Sequence, residues 1–244
     1  MLIRILAIAL CLTGIGQAAV ITDFSDIQYW VGSGTNEAAM VIDWQDGKTP
    51  VSLAWGFRWD GVATGWDMMQ AIAAADPRLS IETLTYFGST FLFGVFYDVS
   101  GTGDSYTPGV PGEPNFPVAD VEDTPGDAGP VNHYQSGIAS GYWEYYASGG
   151  DFSYAGGAND FAGSSSYPGT NGTPDWRSSF VGADGRTLSD GSWDTWSFAP
   201  GFASQIIDTP IAAVPEPRTI GLIFLSAGLL VWRFRRIHVA NGSK

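Results

Sequence analysis

The side chains able to do acid–base chemistry in this chain are mostly carboxylates, with very few histidines. The sequence has 25 acidic residues, 11 basic residues and two histidines. His133 follows an acidic, glycine- and proline-rich stretch, and we expect a lone histidine in such a loop to be exposed. No serine has nucleophile-elbow spacing, and no His-Glu-x-x-His motif or phosphate-binding glycine loop is present. A Ser-His-Asp triad assembled by the fold stays open, but no residue pattern points to one.

Paired carboxylates are a second source of chemistry, because two acids flanking a glycosidic bond can hydrolyse it. With so many acidic residues, any two would match that requirement by chance. The densest cluster is Asp120, Glu122 and Asp123, whose oxygens are candidate calcium ligands, although the EF-hand pattern is absent. A solvated acidic loop is the simpler interpretation of this cluster. We expect no cofactor.

Tryptophans are the third candidate feature, and nine of them lie between residues 20 and 214. Exposed tryptophan and tyrosine side chains can stack on sugar rings, because they combine an apolar face with a polar edge. The candidate ligand contacts are Tyr142, Trp143, Trp193 and Trp196. For most tryptophans we favour core packing over ligand contact, since Trp143, for example, shares a strand face with Tyr145.

Hydrophobic periodicity predicts the elements that must position these residues: a mainly β (α+β) small domain with one clear helix. Strands are predicted at 38–44, 51–60, 81–86, 90–98, 137–147 and 192–198. The helix should begin after Thr64, because Thr64 and Asp67 have capping-box spacing and an alanine-rich run follows. It should end at Asp76-Pro77, since the residue before proline avoids the helical region. Residues 100–130 are rich in glycine, proline and acids and predict a long loop or insertion.

The charge distribution excludes one class of partner. Residues 20–214 hold five of the basic residues and all acidic residues except Glu216, which gives this body a net charge of −19. Such a body repels nucleic acid, so we expect no nucleic-acid partner. The only cysteine, Cys11, lies in the first apolar run, which leaves the body without disulfides or thiolate metal sites.

Both ends of the chain have the composition of targeting segments. Residues 1–18 predict a signal peptide with Arg4 before an apolar run and cleavage after Ala18. The exported body is then 19–208, followed by a stalk and Pro-Glu-Pro segment at 209–218. Residues 219–232 are apolar and predict a short membrane-spanning helix, and 233–244 form a basic cytoplasmic end.

The order of the C-terminal parts resembles the PEP-CTERM sorting signal. The match consists of the motif Pro215-Glu216-Pro217, the apolar run to Trp232 and the basic stop. That stop is formed by Arg233, Arg235 and Arg236. The resemblance implies recognition by an exosortase-type membrane enzyme, removal of the helix, and release of the body to the cell surface or matrix. The polar extension from His238 to Lys244 is longer than usual for this signal, and an ordinary tail anchor is the alternative.

The order of elements in the body resembles the C-terminal domain of transcobalamin and intrinsic factor, a β-rich domain also found alone on bacterial surfaces. The matching segments are Asp46-Gly47, Gly65 with its helix, Tyr86-Phe87-Gly88-Ser89, Tyr142-Trp143-Glu144-Tyr145-Tyr146 and Asp190-Gly191-Ser192-Trp193-Asp194-Thr195-Trp196. The glycine-rich insertions, and the lack of Asn-Gly after the aromatic strand, depart from that family. The resemblance implies a non-enzymatic ligand- or surface-binding domain. Cobalamin does not follow, since another domain shares that ligand in the vertebrate members.

Together these features predict an exported protein of the cell surface or extracellular matrix, held transiently in the inner membrane by its C-terminal helix. Its expected partners are signal peptidase, an exosortase-type enzyme and extracellular polysaccharide. The body is expected to be a non-catalytic binding or structural module. The alternative from another class is a secreted carbohydrate-active enzyme that uses paired carboxylates.

Overall fold

The computed structural model describes residues 20–86, 89–101, 131–137, 141–149, 163–169, 175–179 and 182–215. Within these ranges the chain is mainly β with one α-helix, as the sequence predicts. The strands are β1 (Trp30–Gly32), β2 (Asn36–Asp43), β3 (Ser52–Trp59), β4 (Leu79–Tyr86), β5 (Ser89–Tyr97), β6 (His133–Ser136), β7 (Gly141–Ser148), β8 (Arg177–Ser178), β9 (Ser192–Pro200) and β10 (Ile211–Ala212). The helix α1 is Gly65–Ala75, and Phe24–Asp26 forms a short 3-10 helix. The chain divides into two units, 1–214 and 215–244, and all of these elements belong to the first.

Seven of the described strands form the larger sheet, in the order β1-β3-β2-β9-β7-β8, with β10 also paired to β3. The central strand β2 is antiparallel to β3 and parallel to β9, and β9 is antiparallel to β7. The short strands β1 and β10 both add parallel to β3. The four long strands at the centre, β2, β3, β7 and β9, overlap segments that the sequence predicts to be strands.

One face of this sheet packs against α1 and against the second sheet. Leu53, Trp55, Phe57 and Trp59 of β3 all belong to the same buried cluster, which confirms that they share a face. The helix contributes Met68, Met69 and Ile72 to this cluster, and β5 contributes Val95 and Tyr97. Large apolar side chains removed from water on this face supply the main stabilising term of the fold.

The helix begins and ends where its capping residues require. The Thr64 backbone N–H donates to Asp67 Oδ2 at 2.8 Å, and the Asp67 N–H donates to Thr64 Oγ1 at 3.1 Å. This reciprocal capping box satisfies donors that the first turn leaves free. The helix ends before Asp76, whose buried carboxylate accepts hydrogen bonds from Trp55 Nε1 at 3.1 Å and Arg78 Nε at 2.9 Å.

The smaller sheet consists of β4, β5 and β6, all antiparallel neighbours. Tyr86 lies opposite Ser89, so β4 and β5 form the predicted hairpin, while Gly88 itself lies outside the described residues. The third strand, β6, begins at His133, which lies opposite Tyr97. The sequence pattern does not predict β6, because four residues are too few to show a period.

The second face of the larger sheet is covered by the segment after residue 20. Ile21, Phe24 and Ile27 pack against a second buried cluster that includes Val41 and Trp193.

Residues 209–214, predicted to form a stalk, are instead part of the body. Ile211 and Ala212 form β10, and Ala212 and Ala213 are each 1% exposed. A strand of two residues exists only through its pairing with a strand far away in the sequence, here β3. The local composition of residues 209–214 therefore does not predict β10.

Candidate functional site

The aromatic strands separate the candidate ligand contacts into buried and exposed residues. Trp143, Trp193 and Trp196 are 8%, 1% and 7% exposed, and all three belong to the buried clusters. Prediction of these three tryptophans as ligand contacts is therefore wrong for this structure, because their rings pack in the core. Tyr142 is 37% exposed and remains available to a ligand.

The alternation along β7 explains this difference. Consecutive side chains of a strand point to opposite faces of the sheet, so Tyr142, Glu144 and Tyr146 share one face. Trp143 and Tyr145 share the other face, which packs against the cluster containing α1. The sheet thus buries one aromatic set of β7 and leaves the other at its surface.

An exposed aromatic pair forms next to the start of β7. The rings of Tyr142 and Phe202 are stacked, with centroids 6.1 Å apart and an interplanar angle of 29°. Phe202 is 56% exposed, although a large apolar ring gains nothing from contact with water. We define the aromatic patch as Tyr142, Glu144, Tyr146, Phe202 and Ser204.

The turn that presents Phe202 has an unfavourable backbone. Gly201 and Phe202 have φ of 63° and 62°, and the Phe202 N–H donates to the Ala199 carbonyl at 3.2 Å. Glycine adopts this left-handed region freely, but for phenylalanine it costs about 1–2 kcal/mol. Because backbone strain of this kind clusters at ligand-binding positions, the strained and exposed Phe202 is a functional candidate.

Glu144 organises the polar half of the aromatic patch. Its Oε1 accepts hydrogen bonds from the hydroxyls of Tyr142 at 2.9 Å and Ser204 at 2.6 Å, and its Oε2 accepts from Tyr146 at 2.8 Å. The hydrogen bond to Glu144 raises the pKa of Tyr142, and burial followed by the same carboxylate raises the pKa of Tyr146. Both phenols therefore stay protonated at neutral pH and hold the Glu144 side chain in place.

His133 is not exposed, contrary to the sequence expectation. It is completely buried in β6, and its imidazole is stacked on the Trp44 indole with centroids 4.6 Å apart. Its Nδ1 lies 3.0 Å from Asp46 Oδ2, and its buried Nε2 has no hydrogen-bond partner within the described part of the chain. A histidine enclosed in this way cannot reach a substrate in the observed conformation.

Two carboxylates come close together at the edge of the core, as the enzymatic alternative requires. Gln45 Nε2 donates to Asp43 Oδ2 at 2.7 Å and to Asp208 Oδ2 at 3.3 Å. Burial raises the pKa of Asp43 to about 6, with backbone and side-chain hydrogen bonds opposing the shift. Asp43 is 0% exposed and accepts the Asp208 backbone N–H at 3.0 Å, which points to a structural role for this pair.

Several predicted residues lie outside the described ranges. They are Ala18, Asp120, Glu122, Asp123, Glu216, Pro217, Arg233, Arg235 and Arg236. Among the described residues, no group of three or more His, Cys, Asp or Glu side chains could hold a metal ion. In the same ranges, no helix is long and apolar enough to cross a membrane.

Sequence reasoning found Tyr142 but missed the other members of the aromatic patch. Glu144 and Tyr146 carry a usable signal, since they lie two and four residues after Tyr142 on the same strand. Phe202 and Ser204 carry no such signal, because only the turn after β9 brings them to β7.

No family model, curated protein or solved structure matches the chain.

Proposed function

We propose that this chain is an exported surface or matrix protein whose body binds extracellular polysaccharide through the aromatic patch, without catalysis. The observation that carries the proposal is the open stack of Tyr142 and Phe202 at the surface. Aromatic rings at a protein surface offer an apolar face to the C–H groups of a sugar ring. Glu144 adds fixed polar contacts at the edge of that platform.

The non-catalytic part of the proposal is supported by the burial of the candidate catalytic groups. His133 and Asp43 are both 0% exposed. The general acid of a glycosidase must touch the oxygen of the bond that breaks, and neither group is open to such contact. The resemblance of the element order to a non-enzymatic surface domain agrees with binding rather than turnover.

The export and sorting part rests on the two chain ends. The signal-like residues 1–18, the Pro-Glu-Pro motif, the apolar run 219–232 and the arginine cluster follow the order of a PEP-CTERM signal. Pro215 is exposed and lies two residues after Ala213, which is buried together with Ala212. In this proposal an exosortase-type enzyme acts on the motif once signal peptidase has acted and the helix holds the chain in the inner membrane.

A glycan array followed by calorimetry tests the binding function with the purified full chain. We expect Tyr142→Ala and Phe202→Asn to weaken glycan binding, because each removes one ring of the stack, and asparagine tolerates the left-handed backbone at 202. Phe91→Ala is the matched control, since Phe91 is 52% exposed on β5 but lies outside the aromatic patch. Equal loss in all three variants, or no binding by the wild type, would refute the role of the patch.

A hydrolysis assay on the bound glycans separates this proposal from the enzymatic alternative. We expect binding without release of shorter sugars. Turnover that disappears in Asp43→Asn or Asp208→Asn would establish the paired-carboxylate enzyme instead.

The sorting function needs a separate experiment. The full chain is expressed in hosts with and without an exosortase, and the C-terminus of the mature protein is measured by mass spectrometry. We expect loss of residues 219–244 only when the enzyme is present and the Pro-Glu-Pro motif is intact. An unchanged tail in the exosortase host would leave the chain a simple membrane-anchored protein.

A further inference from the structure

We propose that the aromatic patch selects glycans whose sugar rings carry a free, protonated amine. This inference rests on the proposed polysaccharide-binding function and names the ligand chemistry of the same site. It follows from the direction of the hydrogen bonds around Glu144 and from the negative net charge of the body that carries the patch.

All three hydroxyl hydrogens of the patch are committed to one carboxylate. Tyr142, Tyr146 and Ser204 each have a single hydroxyl hydrogen, and each donates it to Glu144, at 2.9, 2.8 and 2.6 Å respectively. Once these donors are used, the hydroxyl oxygens can offer a ligand only their lone pairs. The carboxylate oxygens are acceptors as well, so the polar half of the patch is a surface of acceptors with one negative charge.

A surface made only of acceptors discriminates between the common substituents of sugars. A protonated amine has three donor hydrogens and no acceptor, so it satisfies such a surface completely and its hydrogen bonds are charge-assisted. A neutral hydroxyl supplies one donor without charge. A carboxylate or sulfate supplies acceptors only and is repelled by Glu144.

The surroundings of the patch strengthen this preference. Arg177 lies opposite Ala147 and therefore belongs to the other face of β7. The net charge of −19 over residues 20–214 draws cations toward this surface over a longer range.

Three oligosaccharide series test the inference: chitosan, chitin and cellulose oligomers of equal length. They share one backbone linkage and differ at a single ring carbon, which carries an amine, an acetylated amine or a hydroxyl. Calorimetry with the purified full chain, at a pH where the amine is protonated, should show at least about tenfold tighter binding of the chitosan oligomer. Glu144→Gln should remove this difference, because it takes away the charge and introduces a donor.

Asp184→Asn is the charge-matched control, since it removes one exposed carboxylate elsewhere on the body. The inference holds if Glu144→Gln abolishes the chitosan preference and Asp184→Asn retains it. Equal loss in both variants would show diffuse attraction to the acidic body and overturn the inference. If the three oligomers bind equally well through Tyr142 and Phe202, the inference fails while polysaccharide binding stands. If none binds, both proposals fail.

Discussion

His133 Nδ1 lies 3.0 Å from Oδ2 of Asp46, so the third strand of the small sheet is joined to the turn that follows β2 in the large one. Burial tends to raise the pKa of Asp46, but the interactions of its carboxylate with His133 and Lys48 together outweigh burial and leave that pKa below its ordinary value. The imidazole also covers the face of Trp44, whose Nε1 donates to the Val95 carbonyl at 3.2 Å. The histidine therefore connects the two sheets through both a stack and a polar contact.

Replacing His133 should separate those two contributions to stability. We expect His133→Ala to lower the free energy of unfolding by about 3 kcal/mol, because it leaves a cavity against Trp44 and frees Asp46. His133→Phe also frees Asp46, but it keeps a ring on Trp44 and removes the unpartnered Nε2, so it should cost less than His133→Ala, about 1–2 kcal/mol. Urea unfolding of both variants measures the difference, and an equal loss would mean that the stack contributes nothing.

A second prediction concerns the fully buried Arg186. Its Nε donates to Asp194 Oδ1 at 2.8 Å, and the Tyr145 hydroxyl donates to the other oxygen of the same carboxylate. Arg186→Met leaves that carboxylate without its cation and should cost about 3–5 kcal/mol in the free energy of unfolding. The double variant Arg186→Met/Asp194→Asn removes both charges and keeps an acceptor for Tyr145, so urea unfolding should show recovery of part of the loss. No recovery would mean that Arg186 acts through its packing rather than its charge.

The parts of the fold that the sequence predicts are those determined by local pattern. Alternation of Leu53, Trp55, Phe57 and Trp59 predicts β3, and the capping box of Thr64 predicts the start of α1. The short strands β1, β6, β8 and β10 escape prediction because each exists only through pairing with a distant strand. Their two to four residues have no period of their own.

The candidate site was only partly predictable for a similar reason. Alternation shows that Tyr142 and Trp143 point to opposite faces of β7, but it does not show which face α1 covers. The suitability of aromatic rings for stacking on sugars therefore predicts the buried Trp143 as a ligand contact along with the exposed Tyr142. The burial of His133 was equally hidden, since it depends on Trp44, a residue far away in the sequence.

A third prediction follows from the raised pKa of Asp43, about 6 in the folded protein against an ordinary value of 3.8. The folded state binds this proton more tightly than the unfolded state. The contribution of Asp43 to the stability of the fold is therefore fully present below the pKa that Asp43 has in the unfolded chain. It is lost as the pH rises through 6, the pKa of Asp43 in the folded protein. We expect the free energy of unfolding to increase by about 1–2 kcal/mol between pH 7 and pH 5.

Asp43→Asn is the matched control for this pH dependence. Oδ2 accepts from Gln45, Ser197 and the Asp208 backbone, and an amide oxygen can take its place. The variant should keep these contacts and show no gain in stability between pH 7 and pH 5.

Asp23, Asp26 and Asp46 have lowered pKa values, so their contributions to stability are lost only at a pH below this window. An unchanged slope in Asp43→Asn would assign the effect to another group.

The final prediction uses the left-handed backbone of Phe202, whose φ is 62°. Phe202→Ala and Phe202→Gly both remove the ring that stacks on Tyr142, so both should weaken glycan binding to the same extent. They differ in the backbone, because alanine keeps the steric cost of the left-handed region and glycine does not. We expect the free energy of unfolding of the glycine variant to be about 1 kcal/mol higher than that of the alanine variant. Parallel calorimetry and urea unfolding measure the two effects on the same samples. Equal stability of the variants would show that the turn relaxes without the ring, and unequal glycan binding would show that the backbone at 202 itself contacts the ligand.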